Sequence, residues 1–255
     1  MQNAQYGSSL TDAQWKYLEP LLPKPAKRGL PRTDLRQMLD ALFYVVKGGI
    51  PWRYRPVGFP PWQTVYGLFR RWKGGHQRAA LNDALRSLIR KAAGRRRQPT
   101  AAVWDSQSVK SAGHGGQVGY DAGKRIKGRK RHLLVDTLGL VLGVVVTPAS
   151  TTERDGAKAV LSLVLEWFAW LRLLWVDGGY TGAAFANWVK TLRSKLAVEV
   201  VKRSDDVRGF KVLPRRWVVE RTFGWLLPHR RLVRDYETTI TSAEAWIYYG
   251  VTGID

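Results

Sequence analysis

Apolar residues recur at helical spacing over the first 94 positions, and past position 100 they bunch into short runs that end abruptly. In "TDAQWKYLEPLLP" (11–23), Thr11 and Asp12 are N-cap candidates and prolines close the segment, which predicts a short helix. "RTDLRQMLDALFYVVKGG" (32–49) sets Leu35, Met38, Leu39, Leu42, Val45 and Val46 at helical spacing and stops at Gly48-Gly49. "PWRYRPVGFPPWQ" (51–63) is too rich in proline for regular structure, and two more helical stretches follow at 64–75 and 79–94. The pattern predicts a small all-helical module over 1–94, closed by the basic linker "RRRQPT" (95–100).

From 101 to 255 the period changes. Apolar runs at 101–105, 132–136, 140–147 and 171–177 read as strands, with Thr137-Leu138-Gly139 as the turn between the second and third. Helices are predicted at 153–170, 183–193 and 214–227, the last opening on Pro214, and a further strand at 196–201. Three strands, helix, strand, helix, strand, helix is the order of an α/β mixed sheet of the ribonuclease-H type, with helices covering the sheet. The longest apolar stretch, "LGLVLGVVV" (138–146), reaches half the ~18 residues of a membrane span and reads as a buried strand, so no membrane partner is expected. "MQNAQYGSSL" has no secretion-signal pattern, and the absence of cysteine excludes disulfides, thiolate zinc sites and cysteine nucleophiles. A cytoplasmic protein is expected.

Charge narrows the function. Lys and Arg number 42 against 20 Asp and Glu, a net +22, which is self-repulsive unless the partner is a polyanion, most commonly nucleic acid. Residues 1–100 carry +14 and the remainder +8, so the first part is the stronger candidate for gripping DNA.

Against that background, two predicted strands end on aspartate: "VWD" at Asp105 and "LWVD" at Asp177. Ligands bind at the carboxyl ends of strands in open α/β sheets, so two such carboxylates can meet although 72 residues separate them. Carboxylates brought together repel unless a cation sits between them, and hard oxygen donors suit Mg²⁺ or Mn²⁺. Two such ions can activate a water on one side of a phosphodiester and stabilise the leaving oxygen on the other. A third carboxylate is sought in the last helix. Glu220 is chosen, flanked by Val219, Phe223 and Leu226 and one turn after Arg216, with Glu153 and Glu237 next in line. Each acid also has a plainer reading: Asp105 as a cap, Asp177 as the start of a turn at Gly178-Gly179, Glu220 as an ion-pair partner of Arg216.

"KRIKGRKR" (124–131) holds six cations in eight residues, Lys124, Arg125, Lys127, Arg129, Lys130 and Arg131. It reads as a loop near the carboxylates that grips phosphates, or as a merely solvated charged loop. Most of the 12 Trp, including Trp167 and Trp170 on an apolar helix face, read as core. Stacking on bases is the alternative. His114 and His132 lack zinc-site spacing and read as ordinary polar residues.

The blocks "VWDSQSVKS", "GYDAGKRIKGRKRHLLVDTLGLVLGVVVTPAS", "LLWVDGGYTG" and "WVVERTFGWL" with "RRLVRDYE" resemble, in order, those of IS5-type insertion-sequence transposases within the DDE superfamily. "LTDAQWKYLEPLLP" and "GIPWRYRPVGFPPWQTVYGLFRRW" resemble that family's helical N-terminal region. The resemblance runs from about Leu10 to Tyr236. It implies a ribonuclease-H-like catalytic domain over 101–255 with Asp105, Asp177 and Glu220 as its D, D and E. It also implies metal-dependent cleavage at terminal inverted repeats and joining of the 3′-hydroxyls to target DNA. No covalent protein intermediate is required, so Ser106, Ser108 and Tyr180 need not be nucleophiles; for Tyr180 a DNA contact and turn packing stay open. Of the broader signature Tyr-x2-Arg-x3-Glu-x6-Lys, Arg216 holds the arginine position, while Leu213 and Leu227 stand for tyrosine and lysine. His229, Arg230 or Arg231 would replace the lysine's phosphate contact. The helical module, with Arg70, Arg71 and Lys73 as contact candidates, would read the repeats. Double-stranded DNA and a second copy of the chain, to bring two ends together, are the implied partners. A nuclease that cuts without joining, and a non-catalytic DNA-binding derivative, are the alternatives.

Overall fold

The protein was analysed as a computed structural model that describes residues 6–23, 33–74, 76–112, 116–201 and 214–252. Leu213 and His114 lie outside the described residues. Helix α1 (Asp12–Leu18) opens with a reciprocal cap, the Thr11 hydroxyl accepting from the Gln14 N–H and the Gln14 side chain accepting from the Thr11 N–H. Helix α2 (Leu35–Gly48) is capped by Asp34 and ends at Gly49, whose φ of 69° is left-handed. Helices α3 (Trp62–Trp72) and α4 (His76–Ala92) complete the N-terminal layer.

The sheet follows. Its strands are β1 (Ala101–Lys110), β2 (Gly119–Asp121), β3 (Ile126–Asp136), β4 (Val141–Pro148), β5 (Leu173–Val176) and β6 (Ala197–Val200). Strand β3 pairs antiparallel with β1 on one edge and with β2 and β4 on the other, while β1, β5 and β6 run parallel. Helices α5 (Glu153–Val164), α6 (Ala183–Leu192), α7 (Pro214–Leu226), α8 (Arg230–Val233) and α9 (Ile240–Thr252) complete the described elements. This is a mixed α/β sheet flanked by helices, the ribonuclease-H-like architecture, preceded by a helical region.

The period of two divides the core. Val103, Leu133 and Val135 face α2, α3, α7 and α9, whereas Ala102, Trp104 and Leu134 face α5 and α6. The N-terminal helices therefore share one apolar core with the first face, and α9 is its wedge: Trp246, fully buried, lies 4.6 Å from Phe69 and 5.5 Å from Trp52. A buried ion pair between Arg90 on α4 and Asp136 at the end of β3 ties the same layers. On the other face Gly156 lets α5 press onto β3, since a Cβ there would collide with the His132 ring.

Three expectations are corrected. "KRIKGRKR" is largely strand β3 rather than a loop. Helix α5 ends at Val164, six residues short of the prediction, so Trp167 and Trp170 are 59% and 58% exposed while Phe168 takes the buried position. Strand β1 continues to Lys110 past its apolar run, because Ser106 and Ser108 face α5 and β2 and find partners there. Among the described residues no helix is long and apolar enough to cross a membrane.

Candidate active site

Strands β1 and β5 pair in parallel with Ala101 opposite Leu173 and Val103 opposite Trp175. Carrying that register on by two residues sets Asp105 level with Asp177. Asp105 shares its face with Val103, the face that α7 covers, and α7 carries Arg216 and Glu220. Arg216 Nη2 lies 3.4 Å from Asp105 Oδ2 and 3.9 Å from Glu220 Oε1. One guanidinium thus joins the acid of the strand to the acid of the helix.

Asp105 is mostly shielded, its side chain 17% exposed, and its Oδ1 accepts from the Ser106 backbone N–H at 2.7 Å. Burial above all, with the charge of Asp177 added, pushes its carboxyl up to about 6 against the pull of Arg216, the Ser106 N–H and Lys124. Asp177 leads into a 3-10 turn (Gly178–Tyr180) and accepts from the Gly179 N–H at 3.0 Å. It therefore does start a turn, and it is also an acid felt by Asp105. Glu220 is half exposed rather than buried among its apolar neighbours. Its ion-pair reading and its position on the helix over Asp105 hold together, because Arg216 serves both acids.

These donors fit a hard divalent cation. They are carboxylate oxygens only, and the charge of Asp177 raises the cost of ionising Asp105, which a cation between them would offset. Among the described residues no three acidic or histidine side chains are already gathered around one point; Arg216 stands between Asp105 and Glu220.

Other acids are spent or lie elsewhere. Asp136 also ends a strand, but β3 is antiparallel to β1, so Asp136 pairs with Ala102 at the opposite end of the sheet. Glu237 bonds Arg231 at 2.7 Å. Glu153, at the first turn of α5, is different: it accepts from Ser106 Oγ at 3.1 Å and faces Lys124 Nζ at 3.4 Å beside β1. Its cue in the sequence is only Thr152 before it, a helix cap, since the partners come from β1 and the β2–β3 turn.

The basic residues sort by exposure. Lys124, Arg125 and Lys127 are exposed, as are Arg70, Arg71 and Arg230. Lys73 is half-buried and donates to Ser242 Oγ at 3.3 Å. Four of the cations expected to contact phosphate have partners within the protein. Arg129 is buried against Asp235 at 3.1 Å, Lys130 against Asp121 at 3.2 Å and the Thr151 carbonyl, and Arg131 donates to the Leu232 carbonyl at 2.7 Å. Arg231 lies over the Trp246 ring and pairs with Glu237. Alternation along β3 sends Arg129 and Arg131 to the face where the segment after α7 supplies acceptors, and Lys130 to the other, where Asp121 and the Thr151 carbonyl do. His132 is wholly buried, its Nε2 2.9 Å from Thr147 Oγ1, and burial with Lys130 and Lys124 nearby pushes its pKa down to about 3. Tyr180 is buried between Trp104 and Phe185, so turn packing is its reading.

Two family models match the chain. "Transposase DDE domain" covers residues 96–249, and "Putative transposase of IS4/5 family" covers residues 10–78. No curated protein matches it. With a match across more than half its length that includes Asp105, Asp177 and Glu220, the chain belongs to the DDE transposases, metal-dependent enzymes that cleave and join DNA.

Proposed function

We propose that this transposase is of the IS5 type and acts on the terminal inverted repeats of an insertion sequence, with Asp105, Asp177 and Glu220 holding two Mg²⁺ or Mn²⁺ ions. What supports this most is the parallel register that sets Asp105 level with Asp177 beneath the helix of Glu220. Divalent cations held there would activate a water toward the phosphate at the element's end and stabilise the departing 3′ oxygen. Arg216 keeps Asp105 and Glu220 from repelling and orients Glu220 over Asp105. Lys124, Arg125 and Lys127, on the turn and the first residues of β3, hold the phosphate backbone close to Asp105. Residues 1–94 are the repeat-reading part, through Arg70 and Arg71 on α3, residues 95–100 the connector, and 101–255 the catalytic part. The apolar core shared by α2, α3 and the sheet supports a reader held at a set angle to the carboxylates. The exposed 3′-hydroxyl then attacks target DNA in a complex of at least two copies, on DNA in the cytoplasm.

The test is cleavage and strand transfer on a labelled duplex bearing the element's own end, with Mg²⁺ or Mn²⁺. Joined products from the wild type, and none from Asp105→Ala, Asp177→Ala or Glu220→Ala with binding intact, support the assignment. Full activity in any one variant removes that residue from the triad, and cutting without joining by the wild type removes strand transfer.

A further inference from the structure

Glu153 is the acid that the three-carboxylate reading leaves unused. It sits on the α5 side of the sheet, opposite Glu220, and Arg154 next to it donates to the Gly179 carbonyl at 3.0 Å. That bond ties the turn after Asp177 to the first turn of α5. A Cβ on Gly179 would lie 3.1 Å from Asp177 Oδ1 and 4.0 Å from Glu153 Oε2, so the two carboxylates flank one small residue that leaves the space between them open. The helix-dipole role of a first-turn acid is already met at this terminus by Asp155, which bonds the Thr152 cap. Glu153 instead turns to Ser106 and, across a long 3.4 Å contact, to Lys124.

A second observation points the same way. Tyr180 is 2% exposed, and its hydroxyl has no hydrogen-bond partner among the described residues. Burial first, then the charges of Glu153, Asp177 and Asp105, push that phenol up, so the orphaned hydroxyl lies in the field of all three acids. A buried hydroxyl left without a partner beside such acids can take up a water held by a bound ion.

We propose that Glu153 is a fourth carboxylate of the cation site, reaching it from the α5 side of Asp177, and that Lys124 competes with the cation for it. This rests on the reading of Asp105 and Asp177 as the cation's ligands. DNA phosphate would draw Lys124 away and leave Glu153 to the cation, so nucleic acid and metal would favour each other's binding.

The test is titration of Mn²⁺ into the DNA-free protein by calorimetry, which needs no catalysis. Glu153→Gln weakens Mn²⁺ binding about tenfold, Glu153→Asp recovers part of the loss, and Lys124→Gln tightens binding. The double variant Lys124→Gln/Glu153→Gln separates competition for Glu153 from the field Lys124 exerts on Asp105: under competition, Lys124→Gln tightens binding more when Glu153 is present than when it is Gln. A thermal melt of Glu153→Gln separates lost binding from lost fold; if that variant unfolds, Glu153→Asp and Lys124→Gln carry the comparison. Affinities of all Glu153 and Lys124 variants within twofold of wild type, with binding lost in Asp177→Asn, overturn this inference and leave the two-aspartate reading standing. Wild-type affinity in Asp177→Asn overturns both.

Discussion

Arg216 Nη2 lies 3.4 Å from Asp105 Oδ2 and 3.9 Å from Glu220 Oε1, so one side chain of α7 holds the strand acid and the helix acid at once. Its removal leaves Asp105 beside Asp177 without its main cationic counterweight. Arg216→Ala should lower cleavage at least tenfold and move the acid limb of the pH–rate profile upward. Arg216→Lys keeps the charge but not the planar fork, and should recover only part of the rate.

The same crowding makes Asp105 a cost to the fold. Its carboxyl is raised from 3.8 to about 6, so the native state holds its proton more tightly than the unfolded chain. That contribution to stability is present below about 4 and lost as pH rises through about 6. Without divalent cations, Asp105→Asn should be the more stable protein at pH 7.5, by up to about 3 kcal/mol, with no such decline. Urea midpoints across that range measure both.

His132 has the opposite sign. Buried and neutral, it is pushed from 6.5 to about 3, so the unfolded chain gains a proton first as pH falls. Its contribution is whole above 6.5 and fades toward 3. Between pH 6.5 and 5 the wild type should lose about 2 kcal/mol that His132→Gln does not.

Two neighbouring cations of β3 should separate cleanly. Arg129 and Asp235 are 1% and 2% exposed, and Arg129→Met leaves an unpaired buried acid, costing about 3–5 kcal/mol in a denaturation experiment. Lys127 is exposed. Lys127→Gln should leave the melt unchanged and reduce the slope of log affinity against log salt on DNA by about one.

These contrasts show what the sequence carries and what it hides. The helical spacing of Leu35 to Val46, the apolar runs that close on Asp105 and Asp177, and the order of elements are local patterns, and they were enough to bring two distant aspartates together across neighbouring strands. Strand β3 was hidden because a strand of alternating cations looks like a solvated loop until its acceptors are known. Those acceptors, Asp235 and the Leu232 carbonyl, come about a hundred positions later. Helix α9 was hidden for another reason: residues 242–243 and 245–250 are buried around the whole circumference, so no polar stripe announces a helix. Glu153 meets Ser106 and Lys124 only through sheet topology, which no spacing within one segment encodes.

Helix α9 also sets an order in time. Trp246 is the wedge between Phe69 and Trp52, and the acceptors for Arg129 and Arg131 lie just before it, so the N-terminal helices and β3 close only around residues the ribosome makes after both of them. A nascent chain that already holds strands β1 to β6 keeps one apolar face of its sheet open until this helix emerges. A chain stopped before Ile240 would carry Asp105, Asp177 and Glu220 but lack the wedge that joins the N-terminal helices to the sheet.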